Sequence, residues 1–192
     1  TTKPRIAVLR QPITQPTRNA AMAIISASER VPYLQPFLEQ CHLRQYPARA
    51  AIVHAGDASD SLFFIVKGSV SVVIEDSEGR EMVVAYLNAG DFFGEMGLFE
   101  EKPSRSAWIR AKIPCEIAEI SYKKFKEIAR HDPGLMFALS AQLAGRLRAT
   151  TRKVSDLAFL DVTGRVARCL LDLSKQPDAM THPDGMQIRV TR

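Results

Sequence analysis

Between residues 50 and 120 the chain carries short apolar runs broken by polar positions, a pattern typical of β-strands. The runs are rich in Val, Ile and aromatic residues, and they read LFFIVKG (62–68), SVSVVIED (69–76), EMVVAYL (81–87) and CEIAEIS (115–121). Glycines separate them at nearly even intervals, at positions 56, 68, 79 and 90. Regular turn residues of this kind favour an antiparallel sandwich or barrel over alternating βαβ units. We therefore predict a mainly β domain, an antiparallel β-roll of the jelly-roll type.

After residue 120 the apolar residues recur every three or four positions, as in helices. SYKKFKEIARH (121–131) has one apolar face and predicts a short amphipathic helix. Asp132 and Pro133 follow, a capping residue and a proline suited to a first helical turn. A second and much longer helix is therefore predicted to begin at Pro133.

The apolar face of the long helix has the spacing of a coiled coil. Its members recur at a mean step of about 3.5 residues. They are Met136, Leu139, Leu143, Leu147, Thr150, Val154 and Leu157. Charged residues on both sides leave a narrow seam, in which Thr150 is the polar exception. The pattern predicts that this helix packs against another helix; the alternative is that it packs only on its own sheet.

Residues 161–192 contain too few elements for a core of their own. Asp161 is a capping residue before VTGRVARCLLDLS (162–174), a predicted helix that ends near Pro177. Asp184 and Gly185 form a turn before a single predicted strand. Because one helix and one strand bury little apolar surface, we expect the beginning of a second domain that has been cut away.

The N-terminal segment differs from the rest in composition. Residues 1–36 contain several Lys and Arg side chains and several prolines, and their only acid is Glu29. AAMAIISAS (20–28) has some features of a targeting peptide, but its apolar stretch is short and diluted by alanine. We prefer a mobile basic arm over residues 1–32.

The overall composition excludes several classes of protein. The 192 residues are 46% apolar and 24% charged with a net charge of +5, which permits an anionic partner without requiring one. No apolar run approaches the ~18 residues that cross a bilayer, so no membrane attachment is expected. Cys41, Cys115 and Cys169 are odd in number and lack C-x-x-C spacing, which favours a cytoplasmic location. The histidines show no metal-ligand spacing, so no metal site is predicted.

GEMGLFEEKPSRSA (94–107) carries the residues best suited to a ligand. Gly94 and Gly97 permit tight turns that expose backbone N–H groups, which bind anions. Arg105 provides planar, permanently charged donors for phosphate, with the Ser106 hydroxyl beside it. Glu95 would repel phosphate but accepts hydrogen bonds from a sugar hydroxyl. The set fits a nucleotide with a compact phosphate; the alternative is an exposed Glu–Arg ion pair.

Longer segments resemble a known family. They are DFFGEMGLFEE (91–101), RSAWIRAK (105–112), CEIAEISYKKF (115–125), LAFLDVTGRVA (157–167) and QPDAMTHPDGMQI (176–188). These segments are similar to the bacterial cyclic-AMP receptor protein family, also called CRP/FNR, including its pseudomonad virulence-regulator branch. The similarity runs from about residue 37 to the end and leaves the N-terminal arm unmatched. It implies a cyclic-nucleotide-binding β-roll at 33–131, a long dimerisation helix and hinge at 132–160, and the start of a truncated winged-helix domain at 161–192.

The resemblance also implies roles for residues of the motif. Glu95 would accept a hydrogen bond from the ribose 2′-hydroxyl of cyclic AMP. Arg105 would pair with the cyclic phosphate. Ser106 and the backbone of Gly94 and Met96 would assist it. Met96 departs from the leucine that is common in the family.

Four further residues would complete the cyclic-AMP site in the family. Val84 and Ala85 would line the pocket, and Ala85 stands where the family commonly has serine. Thr150 and Thr151 would read the adenine amino group, one of them from the partner subunit of a homodimer. This role would explain the polar residue in the apolar seam.

The resemblance implies two further sites outside this pocket. A second, weaker nucleotide site would involve Gly79, Arg80, Ala158 and Phe159. RNA polymerase would contact Lys124, Thr181 and His182, for which plain solvated residues are the alternative.

The function implied is that of a cyclic-AMP-responsive transcription regulator that is not an enzyme. Cyclic AMP would shift a conformational equilibrium of the dimer and so place its DNA-binding domains. The helix-turn-helix would begin after Thr191, so specific DNA binding is expected of the full-length protein and not of this chain. One alternative is an enzyme that uses Glu95 with Glu100 or Glu101 as an acid–base pair, although no nucleophile accompanies them. Another is a cyclic-nucleotide-sensing module for an effector other than DNA.

Overall fold

The computed structural model describes residues 6–9, 34–177, 179–182 and 185–189. These residues belong to two units, a larger one over Ile24–Ala144 and a smaller one that combines Thr1–Ala23 with Gly145–Arg192. In chain order the elements are β1 (Ile6–Leu9), α1 (Leu34–Leu38), β2 (His42–Tyr46), β3 (Ala51–Val53), β4 (Ser61–Lys67), β5 (Ser69–Glu75), β6 (Glu81–Asn88), β7 (Phe92–Phe93), a 3-10 helix (Met96–Phe99), β8 (Trp108–Ala111), β9 (Cys115–Ser121), α2 (Tyr122–His131), α3 (Pro133–Phe159), α4 (Val162–Ser174), β10 (Met180–His182) and β11 (Gly185–Arg189).

Two four-stranded antiparallel sheets build the larger unit, with strand orders β2-β9-β4-β7 and β3-β8-β5-β6. Strand β4 is apolar along most of its length because both of its faces are buried. Leu62 and Phe64 pack in a core with residues of α1, α2 and α3. Phe63 and Ile65 pack in a second core against residues of the other sheet. The predicted antiparallel β-roll is confirmed.

The β5–β6 hairpin turns where the sequence predicts. Gly79 has a φ of 77°, in the left-handed region that favours glycine. Asp76 Oδ1 accepts hydrogen bonds from the backbone N–H groups of Glu78 and Arg80, each at 2.9 Å. The backbone N–H and the guanidinium of Arg80 hold the pKa of Asp76 below its ordinary value. The turn is therefore fixed by its own side chains.

The predicted helix starts are also confirmed. Ser121 precedes α2, and its hydroxyl accepts a hydrogen bond from the Lys124 N–H. Asp132 precedes α3 and accepts one from the Gly134 N–H at 3.0 Å. Asp161 caps α4 in the same way, with a 2.8 Å hydrogen bond from Gly164. Each side chain satisfies an N–H group that has no partner within its helix.

The apolar face of α3 is buried in its first half and exposed in its second half. Leu139 is fully buried in the core of the larger unit, together with residues of α1, α2 and the sheet. Met136 and Leu143 are half-buried against the same core. Beyond the unit boundary the face is open, with Leu147 at 69% and Leu157 at 65% exposure. Only this second half remains available for a partner helix.

The smaller unit contains a three-stranded sheet of order β1-β11-β10. The prediction of a lone C-terminal strand is therefore wrong, because β11 pairs with β10 on one side and with β1 on the other. In β1, Ile6 pairs with Arg189 and Leu9 with Met186. These four residues of the predicted mobile arm form a strand that the sequence pattern does not predict. The other residues of the arm up to position 32 lie outside the described residues.

All three cysteine thiols are free. Burial raises the pKa of Cys41 to about 12 and also raises the pKa of Cys115, while Cys169 is exposed on α4. In the described parts of the chain, no group of three or more His, Cys, Asp or Glu residues lies close enough to hold a metal ion. A search of the same residues finds no helix with the length and apolar character that crossing a membrane requires.

Candidate functional site

The segment from Gly94 to Ser106 leaves β7, forms the short 3-10 helix and returns along the chain near Gly56. Backbone hydrogen bonds fix the returning part. The Arg105 N–H donates to the Asp57 carbonyl at 2.8 Å, and the Gly56 N–H donates to the Arg105 carbonyl at 2.8 Å. An isolated bridge pairs Ala58 with Ser104. The backbone of Arg105 is therefore held in place independently of any ligand.

The Arg105 side chain is buried at 8% exposure, which is unusual for a permanent charge. Its Nη1 lies 3.4 Å from the Gly94 carbonyl oxygen and 3.4 Å from the Tyr122 hydroxyl. Its Cζ lies 5.1 Å from the centre of the Phe63 ring. Among the described residues the guanidinium forms no salt bridge with a carboxylate. Two long hydrogen bonds and one aromatic ring offset only part of the free-energy cost of burying this cation. The Arg105 side chain is therefore well suited to bind an anion.

Tyr122 holds the carbonyl that faces Arg105. It is the first residue of α2, and its N–H donates to the Asp60 carbonyl at 2.8 Å. Its hydroxyl donates to the Gly94 carbonyl oxygen and lies 2.5 Å from the Ser59 hydroxyl, which is itself buried. The Gly94 turn is thus fixed from the helix side as well as from the sheet.

The two glycines of the motif make room for side chains. Gly94 has a φ of 77°, and a Cβ there would lie 2.6 Å from Arg105 Nη1 and 3.1 Å from Phe63 Cδ2. A Cβ on Gly97 would lie 2.6 Å from the Ser59 hydroxyl oxygen and 2.8 Å from that of Tyr122. The sequence predicts that these glycines expose backbone N–H groups; in the structure they also let Arg105 and Tyr122 approach the turn.

Glu95 lies beside this turn and is buried at 7% exposure. Since Arg105 is buried as well, the alternative of an exposed surface Glu–Arg ion pair is wrong. Ser106 is exposed, and its hydroxyl lies 3.4 Å from the sulfur of the exposed Met96. The structure therefore brings Gly94, Glu95, Met96, Arg105 and Ser106 into one local group.

Val84 and Ala85 lie half-buried on β6, at a break in its pairing with β5. Ala85 pairs with Val72 and Val83 with Val73, so Val84 is an extra residue in the strand. Such β-bulges redirect side chains and are common beside binding sites. Thr150 and Thr151 belong to the smaller unit, where both are exposed on α3. The Thr151 hydroxyl donates to the Leu147 carbonyl oxygen at 2.9 Å.

The residues predicted for other sites are spread over both units. Gly79 and Arg80 lie in the β5–β6 hairpin, where Arg80 forms ion pairs with Asp76 and Glu78. Ala158 and Phe159 end α3, and Phe159 is 85% exposed. Lys124 is exposed on α2 and lines a groove of about 460 Å³ between the end of β9 and residues 39–42 and 44, which follow α1.

Two further predicted residues lie on β10. Thr181 is exposed. The side chain of His182 lies outside the described residues.

Sequence reasoning misses three side chains that shape the site: Ser59, Phe63 and Tyr122. All three lie outside the motif in sequence: Ser59 in the loop before β4, Phe63 within β4 and Tyr122 at the start of α2. Tyr122 differs locally in one respect, since a hydroxyl-bearing ring begins a helix directly after its capping serine. That signal alone does not indicate that the hydroxyl reaches Gly94.

Comparison with known proteins agrees with this geometry. The profile of the cyclic nucleotide-binding domain family matches residues 43–132. The cAMP-activated global transcriptional regulator Vfr of Pseudomonas aeruginosa is 59% identical over 174 residues, which are 89% of this chain and 81% of that protein. The regulator CRP of Escherichia coli O157:H7 is 56% identical over 169 residues, covering 88% of this chain and 80% of that protein. The chain belongs to the CRP/FNR family of transcriptional regulators. Membership agrees with the expectation that it is not an enzyme.

Solved structures of the family share the fold. The c-di-GMP responsive global regulator CLP of Xanthomonas campestris superposes with a TM-score of 0.77 at 44% identity, covering 82% of this chain and 79% of that one. The CRP/FNR-family regulator TTHA1359 of Thermus thermophilus has a TM-score of 0.67 at 24% identity and shows similarity of fold alone. CLP is described as responding to a different cyclic nucleotide from Vfr and CRP, so membership of the family does not by itself decide which cyclic nucleotide binds.

Proposed function

We propose that this protein is a cyclic-AMP-activated transcriptional regulator, in which nucleotide binding in the β-roll controls the placement of DNA-binding domains. One observation carries the proposal: Arg105 is a buried cation without a carboxylate partner among the described residues. A cyclic phosphate has one negative charge and two free oxygens, which match a single guanidinium. The names of Vfr and CRP support cyclic AMP as the ligand.

The other residues of the group fit the remaining parts of such a ligand. Glu95 would accept a hydrogen bond from the ribose 2′-hydroxyl. The Ser106 hydroxyl and the backbone of Gly94 and Met96 would add donors to the phosphate. Val84 and Ala85, at the bulge of β6, would form the apolar wall of the pocket.

The hydroxyl of Thr151 favours adenine for a chemical reason. Its proton is engaged with the Leu147 carbonyl, so the oxygen presents lone pairs to a ligand. The adenine amino group is a donor and matches those lone pairs, whereas the corresponding guanine oxygen is an acceptor and does not. We assign Thr150 to the same base, with one threonine of the pair supplied by the partner subunit.

The wider assembly is proposed from the open half of α3. Leu147, Val154 and Leu157 are 60% to 69% exposed, and pairing with a second copy would cover them. In this arrangement residues 33–131 bind the nucleotide, 132–160 form the dimer helix and hinge, and 161–192 begin the DNA-binding part, preceded by the basic arm at 1–32. Gly79, Arg80, Ala158 and Phe159 would form a weaker second nucleotide site.

The macromolecular partners follow from the same proposal. DNA and RNA polymerase would be partners of the full-length protein in the cytoplasm. Lys124, Thr181 and His182 would contact the polymerase. Lys124, which lines the groove beside the end of β9, is the described residue that best supports such a contact.

Titration calorimetry of the chain with three ligands tests the proposal. Cyclic AMP is expected to bind, and cyclic GMP to bind at least tenfold more weakly, because one mismatched hydrogen bond at the base changes affinity by about that factor. Cyclic di-GMP, the nucleotide named for CLP, serves as the comparison. Preference for cyclic di-GMP, or binding of none of the three, would contradict the proposed ligand.

Replacing Thr151 with Val should lower the preference for cyclic AMP over cyclic GMP about tenfold, since the variant keeps the shape but loses the acceptor. The two affinities measured by calorimetry give the ratio. Ser155→Ala is the matched control, because the Ser155 hydroxyl also donates one turn back, to the Thr151 carbonyl at 3.1 Å. An equal loss of affinity for both nucleotides would show that Thr151 does not read the base.

A further inference from the structure

The side chain of Gln142 joins α3 to the turn that leads into the nucleotide site. Its Oε1 accepts a hydrogen bond from the Phe92 N–H at 2.9 Å, and its Nε2 donates to the Gly90 carbonyl at 2.8 Å. The amide thus pairs with two backbone groups as an adjacent strand would. Gln142 is half-buried, on the side of the helix where Leu135 and Leu139 are buried.

The turn that Gln142 holds is tied firmly to the β-roll. The Gly90 N–H donates to the Ile65 carbonyl at 2.8 Å, and the Ile65 N–H donates to the Asp91 carbonyl at 3.0 Å. The Asp91 carboxylate accepts a hydrogen bond from the Asn88 N–H at 2.7 Å. If this turn is displaced, the neighbouring residues of β4 and β6 are therefore displaced with it.

A short path leads from the turn to Arg105. Phe93 is stacked on Phe63 with ring centres 4.9 Å apart and planes 9° from parallel. Arg105 lies against the same Phe63 ring. Gly94 follows Phe93 directly, and its carbonyl accepts the hydrogen bond from Arg105. The guanidinium and the Gln142 amide thus act on the two ends of one five-residue segment, 90–94.

Apolar packing alone would not fix α3 to this segment. The contacts of Leu135 and Leu139 are not directional, so they tolerate small rotations and translations of the helix. The two hydrogen bonds of Gln142 reach backbone groups two residues apart and require a definite alignment. They therefore fix both the rotation and the translation of the helix. Gln142 is also close to the end of the larger unit at Ala144, beyond which α3 continues to Phe159.

We propose that Gln142 is the positioning residue that couples nucleotide binding at Arg105 to the second half of α3, residues 145–159. The inference rests on the proposed function. A phosphate bound by Arg105 in its present position weakens the hydrogen bond from the guanidinium to the Gly94 carbonyl; the segment 90–94 then adjusts at Phe92, and the Gln142 amide transmits the change to the helix. Coupling is reciprocal, so the same link lets the helix affect nucleotide affinity.

Hydrogen exchange of the full chain with and without saturating cyclic AMP tests the role, with Gln142→Leu compared with the unaltered chain. Cyclic AMP is expected to slow exchange in residues 145–159 of the unaltered chain about tenfold. In Gln142→Leu this slowing should disappear even at saturation, and the Kd for cyclic AMP should rise about tenfold by reciprocity. Gln45→Leu is the matched control, because Gln45 is exposed on β2, and it should behave as the unaltered chain.

Gln142→Glu gives a second readout that a purely structural role would not change. At pH 7 the carboxylate accepts from Phe92 but cannot donate to Gly90, so the slowing should be lost. Near pH 4 the protonated carboxyl can donate, and the slowing should return. This variant also serves if Gln142→Leu does not fold.

The outcomes separate the two proposals. No binding of cyclic AMP by the unaltered chain would contradict the proposed function. Binding with normal slowing of residues 145–159 in both Gln142 variants would contradict the coupling role alone. A lower melting temperature with unchanged slowing would assign Gln142 to stability only.

Discussion

Replacing Arg105 with Leu is expected to raise the Kd for cyclic AMP by about 100-fold or more, while the β-roll remains folded. The variant removes charge-assisted hydrogen bonds between a phosphate and a buried guanidinium, an interaction whose loss costs about 2–5 kcal/mol. Isothermal titration calorimetry gives the affinity, and circular dichroism shows whether the sheets are retained. An affinity within threefold of the unaltered chain would contradict the assignment of Arg105 to the phosphate.

The stability of this variant without ligand is the more discriminating measurement. A buried cation that has no carboxylate partner in the described part of the chain destabilises the protein, so its replacement by an apolar residue should leave the free energy of unfolding unchanged or about 1 kcal/mol higher. The Gly94 carbonyl keeps its hydrogen bond from Tyr122 in the variant and is not left unpaired. Denaturant unfolding of both proteins without nucleotide compares the two values.

Arg110→Leu is the matched control for both measurements. Arg110 lies on β8 close to Arg105 in sequence, but it forms a paired ion contact with Glu81, whose pKa it lowers. Removing it should weaken the sheet surface slightly and leave nucleotide affinity within twofold. A loss of affinity equal to that of Arg105→Leu would indicate a general electrostatic effect of positive charge.

The sequence predicts the β-roll because its signals are local. The strands β4 and β5 and the turn at Gly79 follow from alternation, β-branched residues and turn chemistry, which act over a few residues. The helix starts at Ser121, Asp132 and Asp161 are equally local. Strands β7 and β8 are missed because two and four residues carry too little pattern.

Tertiary packing decides what the sequence leaves open. The seam of α3 has one period along its length, yet Leu139 packs on the β-roll and Leu157 is exposed. No local signal marks the change, because it depends on where the β-roll ends. Gln142 and Tyr122 are missed for the same reason, since their partners are 50 and 28 residues away.

The sequence predicts which residues of the motif matter, and the structure adds how they are arranged. Glu95 and Arg105 are predicted to be ligand residues from charge and spacing, and the structure shows both to be buried. The space that Gly94 leaves for the guanidinium is visible only in three dimensions. That space supplies a second test of the site, independent of removing a charge.

Gly94→Ala should reduce the affinity for cyclic AMP about tenfold with a modest loss of stability. The left-handed φ of 77° destabilises an alanine by about 1–2 kcal/mol. The new methyl group would also lie 2.6 Å from Arg105 Nη1, with Phe63 Cδ2 at 3.1 Å and the Ser61 carbonyl oxygen at 3.2 Å on its other sides. The end of the flexible arginine yields more readily than a packed ring or a backbone, so the guanidinium is displaced from the phosphate position.

Gly56→Ala separates this displacement from backbone strain. Gly56 has a φ of 88°, and nothing lies within 4 Å of an added Cβ. Gly56→Ala should therefore lose about 1–2 kcal/mol of stability in denaturant unfolding and Gly94→Ala somewhat more, while only Gly94→Ala loses affinity. Equal affinities in the two variants would show that the guanidinium does not need its present position.

In a double variant that combines Gly94→Ala with Arg105→Leu, the effects of the two substitutions should not add, because the two residues touch. Once the guanidinium is absent, the methyl group has nothing to displace and should cause no further loss of affinity. Its effect on stability should fall to the strain that Gly56→Ala measures. A double variant that loses affinity by the product of the two single effects would mean that the effect of Gly94→Ala does not pass through Arg105 and acts instead on the proposed contact between the Gly94 backbone and the phosphate.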